Sequence, residues 1–186
     1  ISVRNSVANT VSVQGNVKIN DVSTRTVEVA NAAELDSATS SSGSVSVGGE
    51  SVFIDSQTTV EVTSNFTDSR SATDAIDVTV DGLTITSATG DETVTGDRTG
   101  GTPTFAIEAD GVTVTEIGVT HDGDAGTNVG QALRIAASDV TVDSVDIEVR
   151  GAQNTGVSVL TDDTSNTGVT DVDGVEIVDS EFTLNT

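Results

Sequence analysis

The chain has 186 residues, of which 30 are Asp or Glu and seven are Lys or Arg, for a formal charge of −23. Binding nucleic acid or an anionic lipid surface needs Lys and Arg to displace counterions, so this balance speaks against both partners. Hydrophobic residues make up 34% of the chain and are mostly β-branched and regularly placed, which argues against the disorder that high charge and few aromatics alone would suggest.

Aspartate outnumbers glutamate, 20 to 10, and Lys18 is the only lysine. Such a hydrated, self-repelling surface suits concentrated salt, which screens the repulsion. It points to a halophilic source, archaeal or viral. There is no cysteine, hence neither a disulfide framework nor a thiolate metal site. No apolar run approaches the ~18 residues of a membrane span, and no signal peptide is recognisable. The first residue is Ile1 rather than methionine, the mark of a processed chain or of a piece of a longer one. With the N-glycosylation sequon at Asn65, this implies an extracellular, cell-surface or virion-surface protein.

In chain order, residues 1–30 form an N-terminal strand arm whose strands have no evident partner, and residues 31–186 form the main domain. NAAELDSAT, Asn31 to Thr39, is the only stretch that reads as a helix, with Asn31 as its cap. The segment from Ser40 to Val62 reads as the first, irregular coils of the main domain.

The clearest signal lies further along the chain. Phe105, Ile107, Ala109, Val112, Val114, Ile117 and Val119 recur 28 residues later as Leu133, Ile135, Ala137, Val140, Val142, Val145 and Ile147. Alternation at period two means a strand with one apolar face. A skip of three reverses the parity, so the chain must turn a corner to keep its next apolar residue inside. Three short strands joined by corners make a triangular coil. The spacing returns at Val78, Val80, Leu83 and Ile85, and at Val175, Ile177, Ser180, Phe182 and Leu184. Corner positions carry the turn formers Asp110-Gly111, Ser138-Asp139 and Asp173-Gly174. The fold expected is an all-β parallel β-helix, a solenoid with coils of 28–35 residues and a short capping helix near 31–39. A β-sandwich is the structural alternative. A lone coil buries too little apolar surface to offset the ordering of its backbone, so coils must stack. Val140, Val142, Val145, Ile147 and Val149 then face in, and Asp143, Asp146 and Glu148 face water.

Residues 70–186 resemble the pectin-lyase-like right-handed β-helix family on these spacings. The resemblance implies the right-handed winding, a short helix sealing the first coil, and a polysaccharide-binding groove flanked by loops. The loops expected to line up are Thr86–Thr104, Thr120–Gln131 and Arg150–Gly156, with Thr161–Gly174 interrupting the last coil. Asp162 and Asp163 resemble the adjacent aspartates of polygalacturonase-type hydrolases, in which one carboxylate acts as acid and another activates water. That family's histidine-glycine and Arg-x-Lys motifs are missing. Pectate lyases need calcium and a basic arginine, a role open to Arg134, which lies between inward Leu133 and Ile135 and points out of its strand. His121, the only histidine, is a weak catalytic candidate and is expected to be a solvent-exposed loop residue.

Oxygen ligands cluster with glycine around Asp122, Asp124 and Asn128, and around Asp171 and Asp173, so calcium is a candidate ion, although no cofactor is required. The alternative is that both are simply solvated loops. Three functions are compatible with these features. The first is a non-catalytic structural or adhesive solenoid that self-associates through its terminal coils, in a filament, surface layer or viral spike. The second is a polysaccharide lyase or glycoside hydrolase, and the third is a glycan-binding module. After Leu184 the last coil has no cap, which fits either a polypeptide cut from something longer or a coil covered by the N-terminal arm or face of another molecule.

Overall fold

The computed structural model describes residues 25–71, 73–98, 101–123, 130–151, 155–160 and 172–185. The strands are β1 (Arg25–Val29), β2 (Gly43–Val47), β3 (Glu50–Ile54), β4 (Thr58–Val62), β5 (Phe66–Asp68), β6 (Ile76–Val78), β7 (Thr84–Ser87), β8 (Thr93–Asp97) and β9 (Pro103–Ile107). They continue as β10 (Thr113–Thr115), β11 (Gly118–Asp122), β12 (Gln131–Ile135), β13 (Thr141–Asp143), β14 (Asp146–Arg150), β15 (Thr155–Val159), β16 (Glu176–Val178) and β17 (Glu181–Asn185). One helix, α1 (Ala32–Thr39), follows β1.

From β4 onward each coil lays one strand in each of three sheets. The first sheet runs β1-β4-β7-β10-β13-β16, the second β5-β8-β11-β14-β17 and the third β6-β9-β12-β15. Every pairing within them is parallel, so the chain is a parallel β-solenoid. The repeat read from the sequence is its register. Phe105 lies beside Leu133 and Ile107 beside Ile135, Val114 beside Val142, and Val119 beside Ile147. The advance per coil is more variable than the sequence indicated, since Leu133 lies beside Val157, only 24 residues on.

Corners absorb the parity change. Between the third and first sheets, Gly82, Gly111, Asp139 and Gly174 stack in the left-handed region, at φ 67°, 70°, 57° and 66°. Gly82 N–H donates to Asp110 O at 2.8 Å, Gly111 N–H to Ser138 O at 3.0 Å, and Asp139 N–H to Asp173 O at 2.9 Å. Side chains repeat the ladder: Asp81 Oδ1 accepts from Asp110 N–H, Asp110 Oδ1 from Ser138 N–H, and Ser138 Oγ from Asp173 N–H. Between the first and second sheets the turn is tighter and uses Glu116, Ser144 and Asp179 at positive φ. A non-glycine residue there costs on the order of 1–2 kcal/mol, which the packed coils on either side must offset.

Most of the interior is a stack of aliphatic side chains. Val60, Ile85, Val114 and Val142 form one column, and Phe105, Leu133, Ile76, Ile107 and Ile135 are fully buried in the third sheet. Helix α1 closes the N-terminal end. Asn31 Oδ1 accepts from Glu34 N–H at 3.0 Å, and Glu34 Oε2 accepts from Ala30 N–H at 2.8 Å, a reciprocal cap. The helix buries Ala32, Leu35, Ala38 and Thr39. It also occupies the free edge of β6: Thr79 N–H donates to Thr39 O, Thr39 Oγ1 to Asp77 O, and Asp77 N–H to Asp36 Oδ1.

Two N-terminal expectations change. Arg25–Val29, read as part of an unpaired arm, pairs along its length with β4. The segment read as irregular coils begins instead with an antiparallel hairpin, β2–β3. Gly48 and Gly49 turn it at φ 58° and 83°, the two-residue geometry that glycine pairs favour.

Candidate functional site

The most distinctive surface is the last described rung, β16–β17. It repeats the inward pattern of the rung before it: Ile177 lies beside Val142, Phe182 beside Ile147 and Leu184 beside Val149. Those three partners are at most 2% exposed, yet Ile177, Phe182 and Leu184 are 39%, 49% and 65% exposed. Val159 and Val178 are exposed as well, beside Ile135 and Asp143 respectively. Apart from Phe53 on the hairpin, these are all the large hydrophobics exposed among the described residues. The far edges of β15, β16 and β17 have no strand beside them among the described residues, so apolar faces and open ladders coincide.

A second concentration of chemistry lies inside the second sheet. Asp68, Gly96, His121, Val149 and Leu184 occupy one column, in register from rung to rung. Asp68 and Arg98 are both buried, and Arg98 Nη2 donates to Asp68 Oδ2. Arg98 Nη1 donates to the carbonyls of Asp68 and Ser71, both at 3.2 Å. Arg70 donates to the same carboxylate through Nε and Nη2 at 2.9 and 2.8 Å, and reaches Asp36 through Nη1 at 2.8 Å. Burial works to raise the Asp68 carboxyl, but hydrogen bonds from Arg70 and Arg98 outweigh it and hold the group below the usual carboxylate value. Any side chain at position 96 would drive its Cβ into Thr104, so this corner has room only for Gly96.

His121 corrects its sequence reading. It lies on β11 rather than on a loop, is 1% exposed, and places Nδ1 3.2 Å from Thr104 Oγ1. Burial first, and the Arg98 charge second, push its imidazole below the ordinary value of 6.5, against a smaller opposite pull from Asp122. The cause is its parity with Val119. Carrying the 28-residue repeat two positions further would have set His121 beside Val149, an inward position. Thr86–Thr104, also read as loop, contains β8.

Of the proposed calcium ligands, Asp122 ends β11 and pairs with Arg150 at 3.3 Å, and Asp173 sits at the stacked corner with its N–H on Ser138 Oγ. The fold places them at different corners. Asp124, Asn128 and Asp171 lie outside the described residues, as do Asp162 and Asp163. Among the described residues no group of three or more acidic or histidine side chains is arranged to hold a metal. Arg134 points outward, as its position between Leu133 and Ile135 requires, and donates to Glu108 at 2.8 Å. Asn65 is exposed, with Oδ1 accepting from Thr93 N–H at 2.7 Å.

The outer face of the second sheet carries a shallow groove lined by Thr93, Thr95, Thr120, Asp146, Glu148 and Glu181, with Asp146 and Glu181 register neighbours. Arg150 holds Glu148 below the usual carboxylate range by hydrogen bonds and charge. Comparison with known protein families, curated proteins and solved structures finds no match to this chain.

Proposed function

We propose that this protein is a non-catalytic structural element, a β-solenoid that builds an extracellular or virion-surface assembly in concentrated salt. The in-register stack carries the reading: one inward aliphatic column runs unbroken through Val27, Val60, Ile85, Val114, Val142 and Ile177, the build of a rigid rod with an acidic surface. The acid excess supports a high-salt setting, since such a surface self-associates only once its repulsion is screened. The coil spacing supports kinship with pectin-lyase-like solenoids.

Sedimentation and electron microscopy of the 186-residue chain across a salt series test this. Assemblies are expected in multimolar salt, and Phe182→Asp is expected to return them to monomer. A wild-type chain that stays monomeric at every salt concentration overturns the reading. A carbohydrate-active second reading rests on the groove, where Asp146 and Glu181 sit on neighbouring strands as a carboxylate pair requires. Release of reducing or unsaturated sugars from polysaccharides, lost in Asp146→Asn, is its signature.

A further inference from the structure

We infer that a cleft on the outer face of the third sheet is a binding site for a hydroxylated amine, the chemistry of an amino sugar. The site is separate from the assembly proposed above, and neither depends on the other.

The cleft has a volume of about 450 Å3, within the range of small-molecule sites. Helix α1 brings Asp36 to it, the segment between β5 and β6 brings Arg70 and Asp74, and β6 brings Asp77. Thr102, just before β9, and Arg134 on β12 line the other side. Strand parity explains the lining. Ile76 and Val78 flank Asp77, Leu133 and Ile135 flank Arg134, and all four are fully buried, so both polar side chains point out of the solenoid. They belong to one outward column, Asp77–Ala106–Arg134. Ala106 contributes only a methyl group, which keeps the floor between them low.

What the cleft can offer a ligand follows from which of its groups are already engaged. Arg70 is fully engaged: it donates to Asp68 through Nε and Nη2, to Ala75 O through Nη2, and pairs with Asp36 through Nη1. Arg134 is engaged at one end only. Its Nη2 donates to Glu108 at 2.8 Å, but its Nε–H is buried and meets no acceptor among the described residues. A buried donor left in that state is costly, and native structures hold few of them.

Asp74 and Asp77 have the opposite lack. No ion pair reaches either carboxylate among the described residues. Burial first, then the charges of Asp36 and Glu108, push the Asp77 carboxyl above its ordinary value, against weaker pulls from Arg134 and Arg70. A cation relieves such crowding of like charges. The cleft therefore wants an acceptor at Arg134 Nε and a cation at Asp74 and Asp77. A molecule with an ammonium group beside hydroxyl oxygens brings both. A carboxylated sugar brings a further anion against Asp74, Asp77 and Glu108.

Equilibrium dialysis of the full chain against labelled glucosamine, glucose and glucuronate tests the site. Concentrated salt is the right medium, because it screens the non-specific attraction of a cation to so acidic a chain. Glucosamine is expected to bind, glucose to bind about tenfold or more weakly for want of the charged hydrogen bond, and glucuronate to stay unbound. Asp77→Asn and Asp74→Asn should each weaken glucosamine by about tenfold. Arg134→Lys, which keeps the charge and removes the Nε–H, should weaken it as well. All three are expected to melt at the wild-type temperature, and Glu28→Gln, an exposed change on the first sheet, to bind as wild type does. Tighter retention of chitosan oligomers than of glucosamine marks a polymer as the source of the amine, and equal retention marks the free sugar. Glucosamine that distributes evenly across the membrane overturns the inference. Glucuronate bound as tightly as glucosamine, or the same loss in Glu28→Gln as in Asp77→Asn, overturns it too.

Discussion

The middle coils and the last rung are written in the same pattern and end in opposite states. Val142, Ile147 and Val149 lie within a rung covered on both sides and are almost inaccessible, whereas Ile177, Phe182 and Leu184, their partners one rung on, are 39–65% exposed. Strand parity decides which way a side chain points. Burial comes from the next rung. In a solenoid the two separate, because each coil supplies only one wall of its own interior.

Changes on either side of that divide should therefore differ. The largest effect is expected where the interior holds charge. Asp68→Asn leaves the buried Arg98 guanidinium without its counter-charge and should cost about 3–5 kcal/mol, read as a lowered denaturation midpoint. A smaller loss there would mean that water reaches the corner. Next comes a matched pair. Leu133→Ala, in a closed rung, should cost about 2–5 kcal/mol, while Leu184→Ala in dispersed chains should stay within about 0.5 kcal/mol. Equal losses would erase the distinction between covered and open rungs.

The smallest effect lies in pH. The folded pKa of His121 is depressed, so the unfolded chain binds more protons just below pH 6.5, and stability should fall as pH drops through that region. Asp68, and Glu92, which hydrogen bonds from Thr89 hold down to about 2, contribute stability above the ordinary carboxylate range that is lost below it. Stability measured from pH 8 to 4 should slope downward, and His121→Val, copying the residue at the same position one rung on, should flatten the upper part of that slope.

The coils could be read from the sequence because valine and isoleucine alternate and their parity flips at corners rich in Asp and Gly. Where the alternation thins, the reading failed. Strand β8, TVTGD, carries one aliphatic side chain, and its inward partner to His121 is a glycine. Residues Arg25 to Val29 hold only two aliphatic residues, and their partner lies past a helix and a hairpin. The Asp68–Arg98 pair joins residues 30 apart across a corner, and no local spacing distinguishes those two charges from the many that face solvent. The open rung was legible as a pattern, but its exposure is a property of three-dimensional stacking.

The corner built from Asp81, Asp110, Ser138-Asp139 and Asp173 has a consequence for the ionic medium, because each rung brings one aspartate to it. One exposed carboxylate per rung forms a line of fixed charge with a pitch of about 4.7–4.9 Å. In dilute buffer, where fields persist for about 10 Å, each member feels roughly two neighbours on either side. At 1 M the reach shrinks to about 3 Å, less than one pitch, and each carboxylate is electrostatically alone. Dissolved salt thus decides whether these carboxylates repel one another, and dialysis into dilute buffer restores that repulsion along the edge.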